Sequence, residues 1–153
     1  MKVLFITSTR IGDAILSTSV LRYIKNKFPY SSLYIATGKT PASLFKNFDN
    51  IKKIFILKKK KFKIHWLELW WQTFFNKWDI IIDLRGSLIS YLLFNEQKYI
   101  YKSIKENIHR LDELALLMRT KYLPLPSIPI LKKDIKKISK DFLKLKSPIA
   151  IGA

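Results

Sequence analysis

The sequence lacks cysteine entirely, and among its 153 residues it has only 4 glycines and only 11 acidic residues against 29 basic ones. Without cysteine the chain has no disulfide framework, no thiolate zinc site and no cysteine nucleophile, and it suits a reducing compartment. Long apolar runs are also missing, because a charged residue interrupts every stretch that approaches the roughly 18 residues of a membrane span. The first apolar run ends at Ile6. That is too short for a signal peptide, so we expect a mature N-terminus.

The shortage of acidic residues leaves a formal net charge of +18, carried mostly by 24 lysines. Such a charge favours anionic partners, which include nucleic acid, acidic lipid and phosphorylated sugar. A simpler interpretation is that much of the lysine is merely solvated, as in chains rich in Lys, Ile, Asn and Phe from AT-rich genomes. The length and the 48% hydrophobic composition predict one globular unit with a buried core.

Apolar runs alternate with helical patterns along the chain. Strands are predicted at 3–6, 33–36, 54–57, 79–84 and 99–101, and helices at 13–28, 41–48, 64–75, about 87–94 and 109–120. This alternation predicts an α/β fold with a Rossmann-like, doubly wound, mainly parallel sheet. We expect 3–6 and 80–84 in its interior, because both are apolar runs flanked by helices.

The last thirty residues differ in character from the rest. A proline-rich link, PLPSIP at 124–129, is followed by a predicted basic helix at 133–145 and by PIAIGA, which reads as the start of another strand. We expect a Rossmann-like domain over 1–123, a linker and bridging helix over 124–147, and over 148–153 the first strand of a second α/β domain that is missing. A final edge strand is the alternative.

Two polar loops follow predicted strands, TSTRIGD at 7–13 and DLRGS at 83–87. Ligands of open α/β sheets bind at these carboxyl ends, where glycine permits close backbone approach and arginine holds phosphate or carboxylate. Asp13 has two interpretations. As a helix N-cap it would stabilise the fold by about 1 kcal/mol. As a general base it would take a proton from a substrate hydroxyl.

Four stretches, taken in chain order, carry a resemblance to a known family: TSTRIGDAILSTSVLRYIKNKFP at 7–29, IATG at 35–38, WDIIIDLRGS at 78–87 and HRLDELALLM at 109–118. They resemble the N-terminal half of the bacterial ADP-heptose:lipopolysaccharide heptosyltransferases, glycosyltransferase family 9. The resemblance implies a GT-B enzyme in which the N-terminal domain binds the acceptor and the C-terminal domain binds the nucleotide sugar. It also implies that Asp13 deprotonates the acceptor hydroxyl as this displaces ADP with inversion.

The resemblance and the two polar loops together predict the acceptor-binding residues, which are Thr9, Arg10, Gly12, Lys58, Lys59, Lys60, Lys61, Arg85, Gly86, Ser87 and His109. A plain helix-start role is the alternative for His109. No cofactor is expected, and the donor, ADP-heptose, would be bound by the missing domain, so the chain alone is expected to be inactive. No metal site is predicted, because His65 and His109 lack companions at metal-ligand spacing.

A basic run, KKKKFK at 58–63, directly precedes the aromatic stretch WLELWWQTFF at 66–75. Basic residues beside interfacial aromatics dock on anionic lipid, and the run resembles the basic loop with which relatives hold a phosphorylated inner-core acceptor. The expected partners are a lipid-anchored phosphorylated saccharide and the anionic inner membrane, with the protein cytoplasmic and peripheral on that membrane. For this run, the alternative is that the aromatics are half buried and the lysines solvated. For the function of the chain, the alternatives are an inactive truncated remnant and a basic nucleic-acid-binding domain. No nucleic-acid reader motif supports the last of these.

Overall fold

The computed structural model describes residues 1–58, 64–103 and 108–130. Its strands are β1 Lys2–Ile6, β2 Ser32–Thr37, β3 Ile51–Ile56, β4 Trp78–Asp83 and β5 Asn95–Ile100; its helices are α1 Ile11–Lys27, α2 Ala42–Phe45, α3 Ile64–Phe74, α4 Arg110–Leu117 and a 3-10 helix at Leu88–Tyr91. The alternation confirms the predicted α/β fold. The predicted helix at 133–145 and strand at 148–153 lie outside the described residues.

The strands form one sheet in the order β3-β2-β1-β4-β5, and every neighbouring pair is parallel. β1 and β4 each lie between two other strands, so the predicted interior positions of 3–6 and 80–84 are confirmed. From β1 the chain first builds β2 and β3 on one side and then crosses over to build β4 and β5 on the other. The carboxyl ends of β1 and β4 therefore form the topological switch point, where open α/β sheets bind their ligands.

The core lies on both faces of the sheet. Val3 and Phe5 of β1 pack in one cluster with residues of α1, α2 and α4, whereas Leu4 and Ile6 pack in the other with Leu69 of α3. All four β1 side chains are fully buried. Because successive residues of a strand point to opposite faces, a strand covered on both sides has an uninterrupted apolar run, which is why VLFI at 3–6 predicts a central strand.

The edge strands start earlier than the sequence predicts. β3 begins at Ile51 rather than at 54, and β5 begins at Asn95 rather than at 99. Apart from Ile51, the missed residues are polar, and Lys52, Lys53 and Lys98 are exposed. An edge strand has one unpaired side and tolerates charged residues, so the apolar run that predicts a strand is shorter than the strand itself.

The predicted α-helix at 87–94 is wrong, because the structure has only the four-residue 3-10 helix there. The connection from β4 to β5 contains eleven residues, 84–94, and must return along the length of a six-residue strand. That strand is roughly 20 Å long. Eleven residues of α-helix would rise only about 16 Å. A more extended path is needed, and the 3-10 turn provides it.

Part of the buried face of helix α1 consists of small polar residues. The hydroxyls of Ser17, Thr18 and Ser19 donate to the backbone carbonyls of Ala14, Ile15 and Leu16, at 2.7, 2.7 and 2.8 Å. These bonds satisfy hydroxyls that would otherwise be buried without partners. The apolar period read from the sequence therefore captures only part of this helix face.

The described part of the proline-rich link packs across the same face of the sheet as α1. Ser127 N donates to Thr18 Oγ1 at 3.0 Å, and Arg22 donates to the carbonyl of Leu125 at 2.7 Å. Asn47 donates to the carbonyl of Pro129 at 3.3 Å.

Among the helices that the structure describes, none is long and apolar enough to cross a membrane.

Candidate functional site

A cleft of about 440 Å³ opens at the carboxyl ends of β1 and β4. This is the switch point of the sheet, where the chain topology separates the loops that follow the two strands. The starts of α1 and α4 and the residues after β5 complete its walls. The lining residues are Thr7, Ser8, Thr9, Arg10, Asp13, Ser17, Leu84, Arg85, Tyr101, Arg110 and Leu114.

Asp13 lines this cleft from the first turn of α1. The N-cap residue of the helix is Arg10, and Asp13 is the third helical residue, so the N-cap interpretation of Asp13 is wrong. Ser8 Oγ accepts a hydrogen bond from Arg10 N at 3.0 Å and donates one to Asp13 Oδ2 at 3.2 Å. The helix start is thus held by the Ser8 hydroxyl. The Asp13 carboxylate stays exposed and oriented toward the cleft, and its role as a base remains a prediction.

The loop after β1 is fixed at its base by neighbouring elements. Thr7 Oγ1 donates to Ser17 Oγ at 2.8 Å, and Thr37 Oγ1 donates to the Ser8 carbonyl at 2.7 Å. A Cβ added at Gly38 would lie 2.8 Å from Thr9 Cα, so the glycine allows the loops after β1 and β2 to touch. Thr9 is held in the cleft wall by this close approach.

The loop after β4 is organised by Asp83, whose side chain is fully buried. Its Oδ1 accepts from Arg85 N at 2.8 Å, and its Oδ2 accepts from Ser87 N at 2.7 Å and from Ser90 Oγ at 2.6 Å. The Ser87 hydroxyl donates to the same Oδ2. These bonds fix the base of the loop. Arg85 lines the cleft, and its guanidinium lies 5.3 Å from the ring centre of Trp66.

Gly86 and Gly12 have different structural roles. Gly86 has a φ of +61°, and a Cβ there would lie 2.6 Å from the Tyr101 carbonyl oxygen. Gly12 has no heavy atom within 4 Å of the corresponding position. The backbone therefore requires glycine at 86, whereas at 12 the protein itself leaves the space open.

We expect Gly86→Ala to lower the free energy of unfolding by at least about 2 kcal/mol, since a left-handed φ and a backbone clash act together. The matched control Gly12→Ala should leave stability unchanged or raise it by up to about 1 kcal/mol, because alanine favours the helix. Urea unfolding of both variants measures the difference. Equal unfolding free energies for the two variants would show that the Gly86 turn relaxes freely.

Arg110 enters the cleft from the start of α4. Its Nη1 donates to Glu113 Oε2 at 2.5 Å, Tyr101 donates to Glu113 Oε1 at 3.2 Å, and the guanidinium lies 4.5 Å from the Tyr101 ring centre. Burial would lower the pKa of Arg110, but the hydrogen bonds with Glu113 and Tyr101 outweigh it and raise this pKa above its ordinary value. The cleft thus contains a positioned cation that keeps its charge at any physiological pH.

The arrangement suits an anionic ligand that carries hydroxyls. Three arginines, Arg10, Arg85 and Arg110, line this cleft, and a guanidinium group offers a forked set of donors to phosphate or carboxylate. The exposed carboxylate of Asp13 lines the same cleft and can accept a proton from a ligand hydroxyl. Within 1–58, 64–103 and 108–130, no three His, Asp or Glu side chains group closely enough to hold a metal ion.

The structure brings together some of the predicted site residues and separates others. The cleft is lined by Asp13, Thr9, Arg10 and Arg85. An adjoining pocket of about 410 Å³ is lined by Gly86 and Ser87, together with Trp66. Three other predicted residues, Gly12, Lys58 and His109, are exposed but line neither the cleft nor this pocket. His109 caps α4, since its Nδ1 accepts from Leu111 N at 3.3 Å. Lys59, Lys60 and Lys61 lie outside the described residues.

The predicted list of acceptor-binding residues omits several lining residues, above all Arg110, Tyr101 and Ser8. The sequence signal for Arg110 is its pairing with Glu113, three residues later in the first turn of a helix. An acidic residue is favourable at a helix N-terminus and a basic one is not, so a basic residue there indicates a specific role. Tyr101 gives no such signal, because only the fold brings the end of β5 to the start of α4.

No family model and no curated protein matches the sequence. Solved structures are similar in fold. The E. coli heptosyltransferase WaaC with ADP has a TM-score of 0.60 at 13% identity, covering 86% of this chain and 50% of that one. WaaC with ADP-2-deoxy-2-fluoro heptose has a TM-score of 0.60 at 13% identity, covering 86% of this chain and 51% of that one. A family 9 glycosyl transferase from Veillonella parvula has a TM-score of 0.59 at 17% identity, covering 86% of this chain and 46% of that one.

The chain therefore spans about half the length of these glycosyltransferases and shares their fold over that half. This confirms the predicted fold class, a Rossmann-like parallel sheet of the kind that forms half of a GT-B glycosyltransferase.

Proposed function

We propose that this chain is the acceptor-binding part of an inverting glycosyltransferase that transfers a heptose or a related sugar. The fold shared with heptosyltransferase WaaC and with a family 9 glycosyltransferase supports the reaction class. Since this chain covers about half of each, we assign the nucleotide-sugar donor, ADP-heptose, to the other half of such an enzyme. We expect no separate cofactor.

The observation that carries the proposal is the single cleft that Asp13 shares with Arg10, Arg85 and Arg110 at the switch point of the sheet. A phosphorylated saccharide has the anionic groups that the arginines recognise and the hydroxyl that a carboxylate can deprotonate. We assign the acceptor to the lipid-anchored phosphorylated saccharides of the lipopolysaccharide core. The protein would then work in the cytoplasm, at the surface of the inner membrane.

In the proposed reaction, an acceptor hydroxyl oxygen attacks the anomeric carbon of the donor as an Asp13 carboxylate oxygen takes the hydroxyl proton. The new glycosidic C–O bond forms on one face while the bond from the anomeric carbon to the diphosphate breaks on the other. ADP leaves with the bonding electron pair, and the configuration inverts. The Ser8 hydroxyl, 3.2 Å from Asp13 Oδ2, orients the carboxylate.

Arg110→Gln tests the acceptor assignment. We expect this variant to bind a water-soluble phosphorylated core saccharide roughly ten- to a hundredfold more weakly, because it loses a charge-assisted hydrogen bond. Isothermal titration calorimetry measures the change. The matched control is Arg119→Gln, which removes the same charge from an exposed residue outside the cleft.

Two results would contradict the acceptor assignment. Equal weakening by both variants would indicate unspecific attraction to a basic chain, and tighter binding of single-stranded oligonucleotides than of the saccharide would favour the nucleic-acid alternative. Unfolding must be measured alongside, because Arg110→Gln leaves the carboxylate of Glu113 without its ion pair.

A further inference from the structure

Helix α3 directs an apolar stripe to solvent. Ile64, Leu67, Trp71 and Phe75 are 45%, 63%, 65% and 77% exposed. Their spacing of three, four and four residues places them on one side of a helix. The side packed against the sheet is apolar too, because Trp66, Trp70 and Phe74 lie there with Leu69, beside the buried His65 and Thr73. Surface helices of soluble proteins normally have a polar outer side, so the apolar outer side of α3 is unusual.

The stripe continues onto the segment between β4 and β5. Aromatic rings connect the two, since Phe75 lies 5.4 Å from Phe74 and Phe74 lies 5.7 Å from Phe94, between ring centres. Phe94 is 63% exposed. The same segment exposes Leu88 and Leu92, whereas its Ile89 and Leu93 are buried in the cluster that contains Leu69 of α3.

We call this continuous region the α3 surface; it comprises Leu67, Trp71, Phe75, Leu88, Leu92 and Phe94. Single exposed apolar side chains are ordinary, but a contiguous apolar patch marks an interaction site or a membrane-binding surface. Trp and Phe on the outward side of a surface helix, with basic residues nearby, are typical of helices that lie in the headgroup region of a bilayer.

The charges around the α3 surface and on the whole chain indicate which partner binds this surface. Exposed Lys58 precedes α3, exposed Lys77 follows it, and Lys98 Nζ lies 5.3 Å from the centre of the Tyr91 ring next to the patch. With a net charge of +18, two copies of the chain repel each other, whereas an anionic bilayer attracts the chain. The described end of the chain gives no competing occupant, because Ser127 lies on α1 at the opposite face of the sheet.

We propose that the α3 surface is the membrane-docking surface of this protein and that it inserts its apolar side chains among the headgroups of an anionic lipid bilayer. The inference deepens the proposed function, because a lipid-anchored acceptor lies at such a bilayer. It concerns a surface distinct from the arginine-lined cleft. Docking and saccharide binding can therefore be tested separately, and one can fail without the other.

Cosedimentation with lipid vesicles tests the proposal on the whole chain. Vesicles of phosphatidylglycerol and phosphatidylcholine in equal parts should bind the wild-type protein, more strongly at low salt, and pure phosphatidylcholine should bind it less. The double variant Trp71→Ser with Phe75→Ser should bind the anionic vesicles at least about tenfold more weakly, because two aromatic side chains no longer leave water. Tryptophan emission should shift to shorter wavelength on binding only in the wild type.

The matched control is Tyr30→Ser with Tyr122→Ser, which removes two aromatic side chains that are 94% and 70% exposed and lie outside the α3 surface. The control should bind vesicles like the wild type. Circular dichroism and thermal unfolding of both variants establish that they are folded. Because Trp71 and Phe75 are mainly exposed, their replacement should change the melting temperature little.

Three results would overturn the proposal: a wild-type chain that binds no anionic vesicles, a Trp71 and Phe75 variant that binds like the control, or a wild-type dimer that the variant converts to a monomer. The last result would assign the surface to a second copy of the chain. Arg110→Gln should retain vesicle binding, and the Trp71 and Phe75 variant should retain saccharide binding in solution. These two cross-tests separate failure of docking from failure of the proposed function.

Discussion

Replacement of Asp83 with alanine is expected to lower the free energy of unfolding by roughly 3–5 kcal/mol, a large part of the stability of an ordinary domain. The carboxylate is fully buried and accepts hydrogen bonds from two backbone amides and two serine hydroxyls. Alanine leaves these donors buried without an acceptor, and each such loss costs about 1–3 kcal/mol. Urea unfolding measures the change.

The matched control is Asp49→Ala, which removes an exposed carboxylate that pairs with Lys25 at the surface. We expect it to cost less than about 1 kcal/mol, because exposed ion pairs contribute little. Asp83→Ala should also weaken saccharide binding, since the Arg85 backbone amide loses its anchor. If both variants unfold at the same urea concentration, Asp83 does not organise the loop after β4.

The loop DLRGS at 83–87 shows which features of a site can be predicted from the sequence. Its position after a central strand correctly predicts that it lies at the cleft, because the rule about carboxyl ends needs only the strand assignment. Which side chains face a ligand depends on the turn. Here Asp83 and Ser87 bond to each other inside the protein, and Arg85 faces the cleft. Both groups are polar, and composition alone does not separate them.

The strands show the same division between local and non-local information. β1 and β4 are predictable because both of their faces are buried, so each has an uninterrupted apolar run, at 3–6 and at 80–82. The starts of β3 and β5 are hidden by polar residues that an edge position permits. Arg110 and Tyr101 are brought to the cleft from separate segments, and the outward direction of the α3 stripe depends on which helix side meets the sheet. Neither follows from spacing along the chain.

Asp13→Asn should separate chemistry from structure in a transferase that joins this chain to a nucleotide-sugar-binding domain. Asparagine has nearly the same shape, and its amide oxygen can still accept the hydrogen bond from Ser8. Because Asp13 is not the N-cap of α1, stability should change by less than about 1 kcal/mol. The amide cannot take a proton from an acceptor hydroxyl, so we expect kcat to fall on the order of a hundredfold or more.

Release of ADP under saturating donor and acceptor measures this rate, and Ser8→Ala provides the comparison. Loss of the Ser8 hydroxyl keeps the Asp13 carboxylate but removes the bond that orients it, together with the bond from Arg10 N at the helix start. Its effect on kcat should be smaller than that of Asp13→Asn, while acceptor KM changes little in both variants. A folded Asp13→Asn variant that transfers sugar at close to the parental rate would show that Asp13 only shapes the turn. The isolated 153-residue chain should transfer no sugar from any nucleotide sugar, and reproducible turnover by it would place the donor site within these residues instead.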